Sequence, residues 1–238
     1  HHARHINRVF PRAHRLLDIQ RKTHQRNCFS GLQHALGLEE NPDAPVFFWP
    51  SRLDPVQKGP QLLSDIAYRF LEKHPDAQIA VIANGSFQKP FRDIRDFHGI
   101  HSRLAVRDFD GRLSQLGFAA SDFTLMPSLF EPCGLPQMQA PIYGSLAIVH
   151  DTGGLHDTVE MLDAYSSRGN GFVFETYDSN GLFWAMDKAM EFFHSPADVR
   201  EREIKRIMAE SLRRFNHDEC AKQYIALYER MLDRPLVK

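Results

Sequence analysis

The sequence predicts an α/β fold built on a Rossmann-like, doubly wound parallel sheet. Two observations predict it. Short apolar runs recur at Val46–Trp49, Gln78–Ala83, Leu104–Val106, Phe123–Met126, Leu146–Val149 and Phe172–Phe174, and each reads as a buried strand. The longer segments between them carry apolar residues at helical spacing. Strand alternating with helix implies a parallel sheet covered on both faces. Ligands in such sheets bind beyond the carboxyl ends of the strands, so the residues that follow each strand are the candidates for function.

Ahead of the first strand, Arg15 to Gly37 fits one helix that ends near its glycine, and Glu39 to Pro45 reads as a loop. After the first strand, Leu62, Leu63, Ile66, Ala67 and Phe70 recur at helical spacing; Leu113, Leu116 and Ala120 do so before the fourth. Cys220, Tyr224, Leu227, Tyr228 and Met231 mark a closing helix. The chain therefore divides into an N-terminal helical and loop segment, 1–45, and a Rossmann-like domain with C-terminal helices, 46–238.

The chain has 238 residues, of which 42% are hydrophobic, enough for a sizeable core. With 25% charged residues and a formal net charge of -1, neither disorder nor general nucleic-acid binding is indicated. A local cationic pocket is compatible with that balance. Cys28, Cys133 and Cys220 lie far apart with no C-x-x-C spacing, which points to a reduced, cytoplasmic compartment. No apolar run is long enough to span a bilayer, and the opening His1-His2-Ala3-Arg4-His5 lacks the apolar core of a signal peptide. The 13 histidines include no H-E-x-x-H pair, so no zinc site is expected.

The strand ends carry the candidate chemistry. Ser51-Arg52-Leu53 leads to Gln57-Lys58-Gly59; two cations on a turn before a helix starting near Lys58 can hold a diphosphate, and they also fit a solvated loop. Phe109, after the third strand, can stack on a base or cap the core. After the fourth strand comes Pro127-Ser128-Leu129-Phe130-Glu131-Pro132-Cys133-Gly134-Leu135-Pro136-Gln137. There the amides of Cys133, Gly134 and Leu135 can face an anion, Pro136 suits the first position of a helix, and Glu131 can accept hydrogen bonds from sugar hydroxyls; a capping acid on a structural turn fits the same residues. Pro141 should kink that helix. The Thr152-Gly153-Gly154 turn after the fifth strand allows close backbone approach or simply makes a turn. Cys133 has no assigned His or Asn partner that would make it a nucleophile, and His150 and His156 read as structural or surface groups.

Together these segments resemble the glycogen and starch synthase family of GT-B glycosyltransferases. The resemblance rests on Ser51-Arg52-Leu53…Gln57-Lys58-Gly59, Ala120-Ser121-Asp122-Phe123, Pro127-Ser128-Leu129-Phe130-Glu131-Pro132-Cys133-Gly134-Leu135, Thr152-Gly153-Gly154-Leu155-His156-Asp157-Thr158-Val159, Gly171-Phe172-Val173-Phe174-Glu175 and the closing Phe215-Asn216…Leu227-Tyr228, all in the family's order. It runs from about Val46 to about Met231. No Lys-x-Gly-Gly loop of the family's N-terminal domain is present, so only the C-terminal, nucleotide-sugar-binding half is matched.

The resemblance implies a retaining transfer of glucose from ADP-glucose or UDP-glucose to the non-reducing end of an α-1,4-glucan, with no metal or other cofactor. It implies Arg52, Lys58 and Glu131 as catalytic residues. Phe109, Cys133, Gly134, Leu135, Gln137, Thr152 and Gly153 would bind the donor. The partners implied are the nucleotide-diphosphate-glucose donor, an α-glucan acceptor and a missing N-terminal GT-B domain, with no nucleic acid and no membrane. Three departures from the family pattern stand out: a loop from Arg52 to Lys58 one residue longer than the common bacterial form, Leu129 in place of Arg, and Pro136 in place of Thr or Ile. A retaining GT-B transferase with a small acceptor and a non-catalytic nucleotide-sugar-binding module are the alternatives.

Overall fold

The computed structural model describes residues 30–235. The expected helix from Arg15 is helical over 30–36; its earlier part, the opening histidines and Cys28 lie outside the described residues. Six strands follow: β1 (Val46–Trp49), β2 (Gln78–Ile82), β3 (Leu104–Arg107), β4 (Phe123–Met126), β5 (Leu146–His150) and β6 (Gly171–Phe174). They form one sheet in the order β3-β2-β1-β4-β5-β6, parallel throughout. The order reverses between β1 and β4, which makes that gap the topological switch point.

The connecting helices are α1 (Pro60–Lys73), α2 (Gln88–His98), α3 (Gly111–Ala120), α4 (Pro136–Tyr143) and α5 (Gly153–Thr158); α6 (Ser179–Phe193), α7 (Ala197–Arg214) and α8 (His217–Leu232) follow β6. Their starts are fixed locally. Asp110 caps α3 through Arg112 and Leu113 N–H, Asp178 caps α6 through Gly181 N–H, and Asn216 caps α8 through Glu219 N–H. Pro136 opens α4, and Gly144, in the left-handed conformation, closes it three residues after Pro141. The helix thus ends shortly beyond the internal proline, whose ring cannot donate to the ladder.

Apolar cores cover both faces of the sheet, and the alternation of side chains along each strand assigns residues between them. Phe47, Trp49, Ile79, Val81, Phe123, Leu125, Ile148 and Phe172 pack with α1 and α6 on one face. Val46, Phe48, Ala80, Ile82 and Ala105 pack on the other with Leu32, Leu36 and Leu38. Full burial of each large side chain contributes about 1.5–3 kcal/mol. Gly117 of α3 lets the ring of Phe48 lie against the helix backbone, because a Cβ there would stand 2.6 Å from it.

Strand limits differ from the apolar runs by one residue at several ends. β3 extends to Arg107 and β5 to His150 because the ladder continues there, pairing Ile82 with Arg107 and His150 with Phe174. Backbone pairing is indifferent to side-chain polarity. None of the residues of α8 is buried, and Tyr224, Leu227, Tyr228 and Met231 stay exposed. The expected stripe is therefore helical but uncovered among the described residues. No helix among these residues is long and apolar enough to cross a membrane.

A buried carboxylate anchors the loop ahead of β6. Glu203 of α7, fully buried, accepts hydrogen bonds from Ser167 Oγ, Arg202 Nε and Arg206 Nε at 2.7, 2.9 and 2.8 Å. Burial pushes its carboxyl up, but those three donors together hold it below its ordinary value. Arg206 and Arg202 also bond the carbonyls of Gly169 and Ala164, which fixes the loop ahead of β6. Replacing Glu203 with Gln should cost about 2 kcal/mol in urea unfolding and speed amide exchange in the 163–169 loop; unchanged exchange there would contradict the anchoring role.

Asp122, just before β4, accepts the Val46 N–H at 3.0 Å and so joins β4 to β1. Burial raises its carboxyl from 3.8 to about 7, against the opposing effects of Val46 N–H and Arg200. A raised folded-state value means that the folded chain holds the proton longer than the unfolded one. Its stabilising contribution is therefore complete below the unfolded value and declines as pH rises through about 7. The unfolding free energy of the native chain minus that of Asp122→Asn should fall between pH 4.5 and 7.5; a flat difference would contradict this.

Candidate functional site

The loops that follow β1 and β4 meet at the switch point. After β1, Asp54 accepts the N–H groups of Val56 and Gln57, both at 2.9 Å, and its carbonyl takes Lys58 N–H at 3.0 Å. The Gln57 N–H, then the Val56 N–H, hold the Asp54 carboxyl below its ordinary value. This turn delays α1 to Pro60, two residues past the expected start near Lys58, with Gly59 as a left-handed cap. Gly59 abuts the β4 loop: a Cβ there would lie 2.2 Å from Pro127 O and 2.8 Å from the Tyr177 hydroxyl. Gln57 O accepts Leu129 N–H at 2.8 Å.

That contact places Lys58 Nζ in an ion pair with Glu131 Oε2, their side chains only 13% and 8% exposed. Ser128 Oγ donates to the same oxygen at 3.2 Å, while Glu131 Oε1 makes no hydrogen bond among the described residues. Arg52 is exposed and has no hydrogen bond or ion pair among those residues, so it is free to meet an anion. The expected cations thus part company: Arg52 is open, and Lys58 is engaged with the expected acid.

Beyond Glu131 the chain turns through Gly134, at φ 74, into α4. The N–H groups of Cys133, Gly134 and Leu135 carry no hydrogen bond among the described residues, and Cys133 and Leu135 are exposed. Such a run of unused amides ahead of a helix favours negative charge. Pro136 adds none, having no N–H. Gln137 lies beneath this turn, 1% exposed, donating Nε2 to Cys133 O and Gly134 O at 2.8 and 3.2 Å and to Thr158 Oγ1. Its amide braces the turn from behind, and Gly134 leaves room for it, since a Cβ would fall 2.4 Å from Gln137 Oε1.

The glycine turn after β5 docks on the same segment. Gly154 N–H bonds Glu131 O at 2.8 Å. Cβ atoms on Gly153 and Gly154 would stand 2.3 Å from Glu131 O and 2.2 Å from Cys133 O. Thr152 is half-buried and Gly153 exposed at the start of α5. His156 faces outward and pairs with Asp151 at 2.6 Å, a hydrogen bond that raises its pKa. Cys133 Sγ touches only Gly134 O, at 3.4 Å, with no base beside it among the described residues.

Phe109 is 56% exposed and outside both cores, two strands from the switch point. Asn84 holds it there: its Oδ1 accepts Phe109 N–H and its carbonyl accepts Leu53 N–H, both at 2.9 Å. Asn84 thus links Phe109 to the Arg52 loop. Sequence reasoning assigned no role to Asn84, Ser128 or Tyr177 and read His150 as a structural or surface group; only the Asn84-Gly85 turn dipeptide and the Ser128 position inside the β4 motif carried any further signal.

Residues 37–206 match the family of glycosyl transferases group 1. The chain belongs to that family. Within it, the chain is similar to glycogen synthases: 38% identical over 204 residues to that of Thermotoga petrophila and 34% over 203 residues to that of Clostridium perfringens, in each case across 84% of the chain. It spans about 40% of the length of these relatives. Among solved structures, the catalytic domain of Starch Synthase IV from Arabidopsis thaliana, bound to ADP and acarbose, superposes with a TM-score of 0.73 at 31% identity, covering 88% of this chain and 43% of that one. The C-terminal domain of a group 1 glycosyl transferase from Francisella tularensis superposes over 76% of this chain and 89% of its own, with a TM-score of 0.55; at 18% identity that likeness shows the fold alone. The sheet of this group 1 domain is that of a GT-B C-terminal half.

The close contacts of this group 1 domain make a direct prediction. Gly59→Ala places a methyl on the Pro127 carbonyl at a φ of 69, so it should destabilise the domain by about 1–3 kcal/mol. Gly99→Ala shares the left-handed φ, at 65, but meets no atom within 4 Å. In thermal melts Gly59→Ala should therefore be the more damaging of the two, and equal losses would rule out the contact as the cause.

Proposed function

We propose that this chain is the donor-binding half of a retaining glucosyltransferase that extends an α-1,4-glucan from a nucleotide-diphosphate glucose. The observation that carries the reading is the convergence at the β1/β4 switch point of open Arg52, the Lys58–Glu131 pair and the unused amides of Cys133, Gly134 and Leu135. Its similarity to glycogen synthases and to an ADP-bound starch synthase supports glucose as the sugar.

In this reading the slow event is departure of the nucleoside diphosphate, which builds negative charge on phosphate. Arg52 meets that charge directly. Lys58 has three N–H donors, so it can hold a phosphate oxygen while keeping Glu131. The amides of Cys133–Leu135 add fixed dipoles, each such donor being worth about 3 kcal/mol in the transition state. Glu131, oriented by Lys58 and Ser128, accepts from glucose hydroxyls through Oε1. Phe109 stacks on the base. Thr152 and Gly153 line the phosphate side, and Gln137 acts from beneath by shaping the turn. No step calls on a metal or other cofactor.

Acceptor binding is assigned to a further GT-B domain, which the relatives' greater length and the uncovered stripe of α8 support. Turnover needs the closed cleft between the two domains, so this chain alone should show almost no glucan synthesis.

Calorimetric titration with ADP, UDP, GDP and their glucose conjugates tests the reading and names the base. One nucleotide should bind selectively, and Arg52→Ala should weaken it by about tenfold or more. Glu131→Ala should weaken the glucose conjugate more than the bare diphosphate. Failure to bind any nucleotide, or binding indifferent to Arg52→Ala, would overturn the proposal.

A further inference from the structure

We infer that His150, at the carboxyl end of β5, is a positioning residue that sets the orientation of Glu131 toward the sugar; the inference rests on the donor-site reading above. His150 is 8% exposed, and its Nδ1 lies 2.8 Å from Ser128 O. A carbonyl oxygen only accepts, so Nδ1 carries the proton and donates. The backbone it grips belongs to Ser128, whose hydroxyl donates to Glu131 Oε2 at 3.2 Å. The path from imidazole to carboxylate is therefore one residue long: His150 fixes the Ser128 peptide, and Ser128 fixes the Glu131 side chain.

The ring is itself held. It packs at 4.9 Å from the Tyr177 ring and 5.4 Å from Phe174, centroid to centroid. The Tyr177 hydroxyl in turn lies close against Gly59, next to Lys58. One imidazole thus couples the ends of β4, β5 and β6 to the two members of the buried pair. A histidine needed only for packing would not require its N–H on the carbonyl of that particular residue. Misplacing a substrate-orienting group by a fraction of a bond length is enough to change affinity or rate.

The test uses the whole chain and the nucleotide diphosphate, with and without glucose, that the native chain binds. His150→Phe keeps a ring of similar size and loses the donor. His150→Asn keeps a donor, because its Nδ2 stands at the same number of bonds from the backbone as His Nδ1. His150→Phe should weaken the glucose conjugate about tenfold while changing the bare diphosphate less than twofold, and His150→Asn should restore most of the loss. Ser128→Ala, which leaves the backbone contact in place, should reproduce the selective loss, and the double variant should add little to either single one. Equal weakening of both ligands, failure of Asn to rescue, or full additivity with Ser128→Ala would overturn the positioning role and leave the donor-site reading standing. A native chain that binds no nucleotide would overturn both.

Discussion

A carboxylate cannot be taken out of water without a compensating cation and hydrogen bonds. Glu131, 7% exposed, meets that requirement with Lys58 and Ser128, and much of the domain's front is organised around doing so. Lys58 follows β1 and Glu131 follows β4, separated by most of the first βαβαβα half of the fold. They can pair only because the strand order reverses between those two strands, leaving both loops without a crossover helix above them. The same reversal of strand order that lets the acid meet its cation brings the two loops into direct contact.

Glycines do the remaining work of closing the loops on one another. At Gly59, Gly153 and Gly154 a side chain would occupy space held by the backbone of the β4 loop. Stripped of Cβ atoms, three segments approach within hydrogen-bond range, and Gly154 N–H reaches the Glu131 carbonyl. On α7, Glu203 and its arginines perform a parallel task, fixing the loop that feeds β6. The loops around Glu131 are in this way fixed by contacts within the protein itself.

The fold was legible because each strand is a short, mostly apolar run and each connection long enough for a helix. Its limits were less so, since Arg107 and His150 are polar yet lie in the ladder. In the candidate site, the residue types suited to anions and sugars were legible as a motif, and the structure brings Lys58, Glu131, the Cys133–Leu135 amides and the glycine turn together. Gln137 was legible only as a motif member; the tertiary structure turns its amide down onto carbonyls of the turn. Asn84 and His150 belonged to none of the family segments, Asn84 showing only as part of a turn dipeptide and His150 as a structural or surface group. Both act through hydrogen bonds to loops distant in sequence, and such bonds have no periodicity to betray them.

What the sequence determined by itself is the class of architecture, the strand-end position of the candidate residues and the family pattern. These follow from local regularities, namely strand period, helix period and residues in fixed succession. What only the tertiary structure decided is which of the expected groups are free and which are engaged. Arg52 and Lys58 look alike in the chain, but one faces solvent and the other is joined to Glu131. Phe109 by its residue type alone fits a core position better than a platform, yet it stands exposed in the fold, its N–H held by Asn84. The physical reason is common to all of them: the partner of a charge or an exposed ring is set by burial and by loops from other strands, and neither quantity is local to the residues concerned.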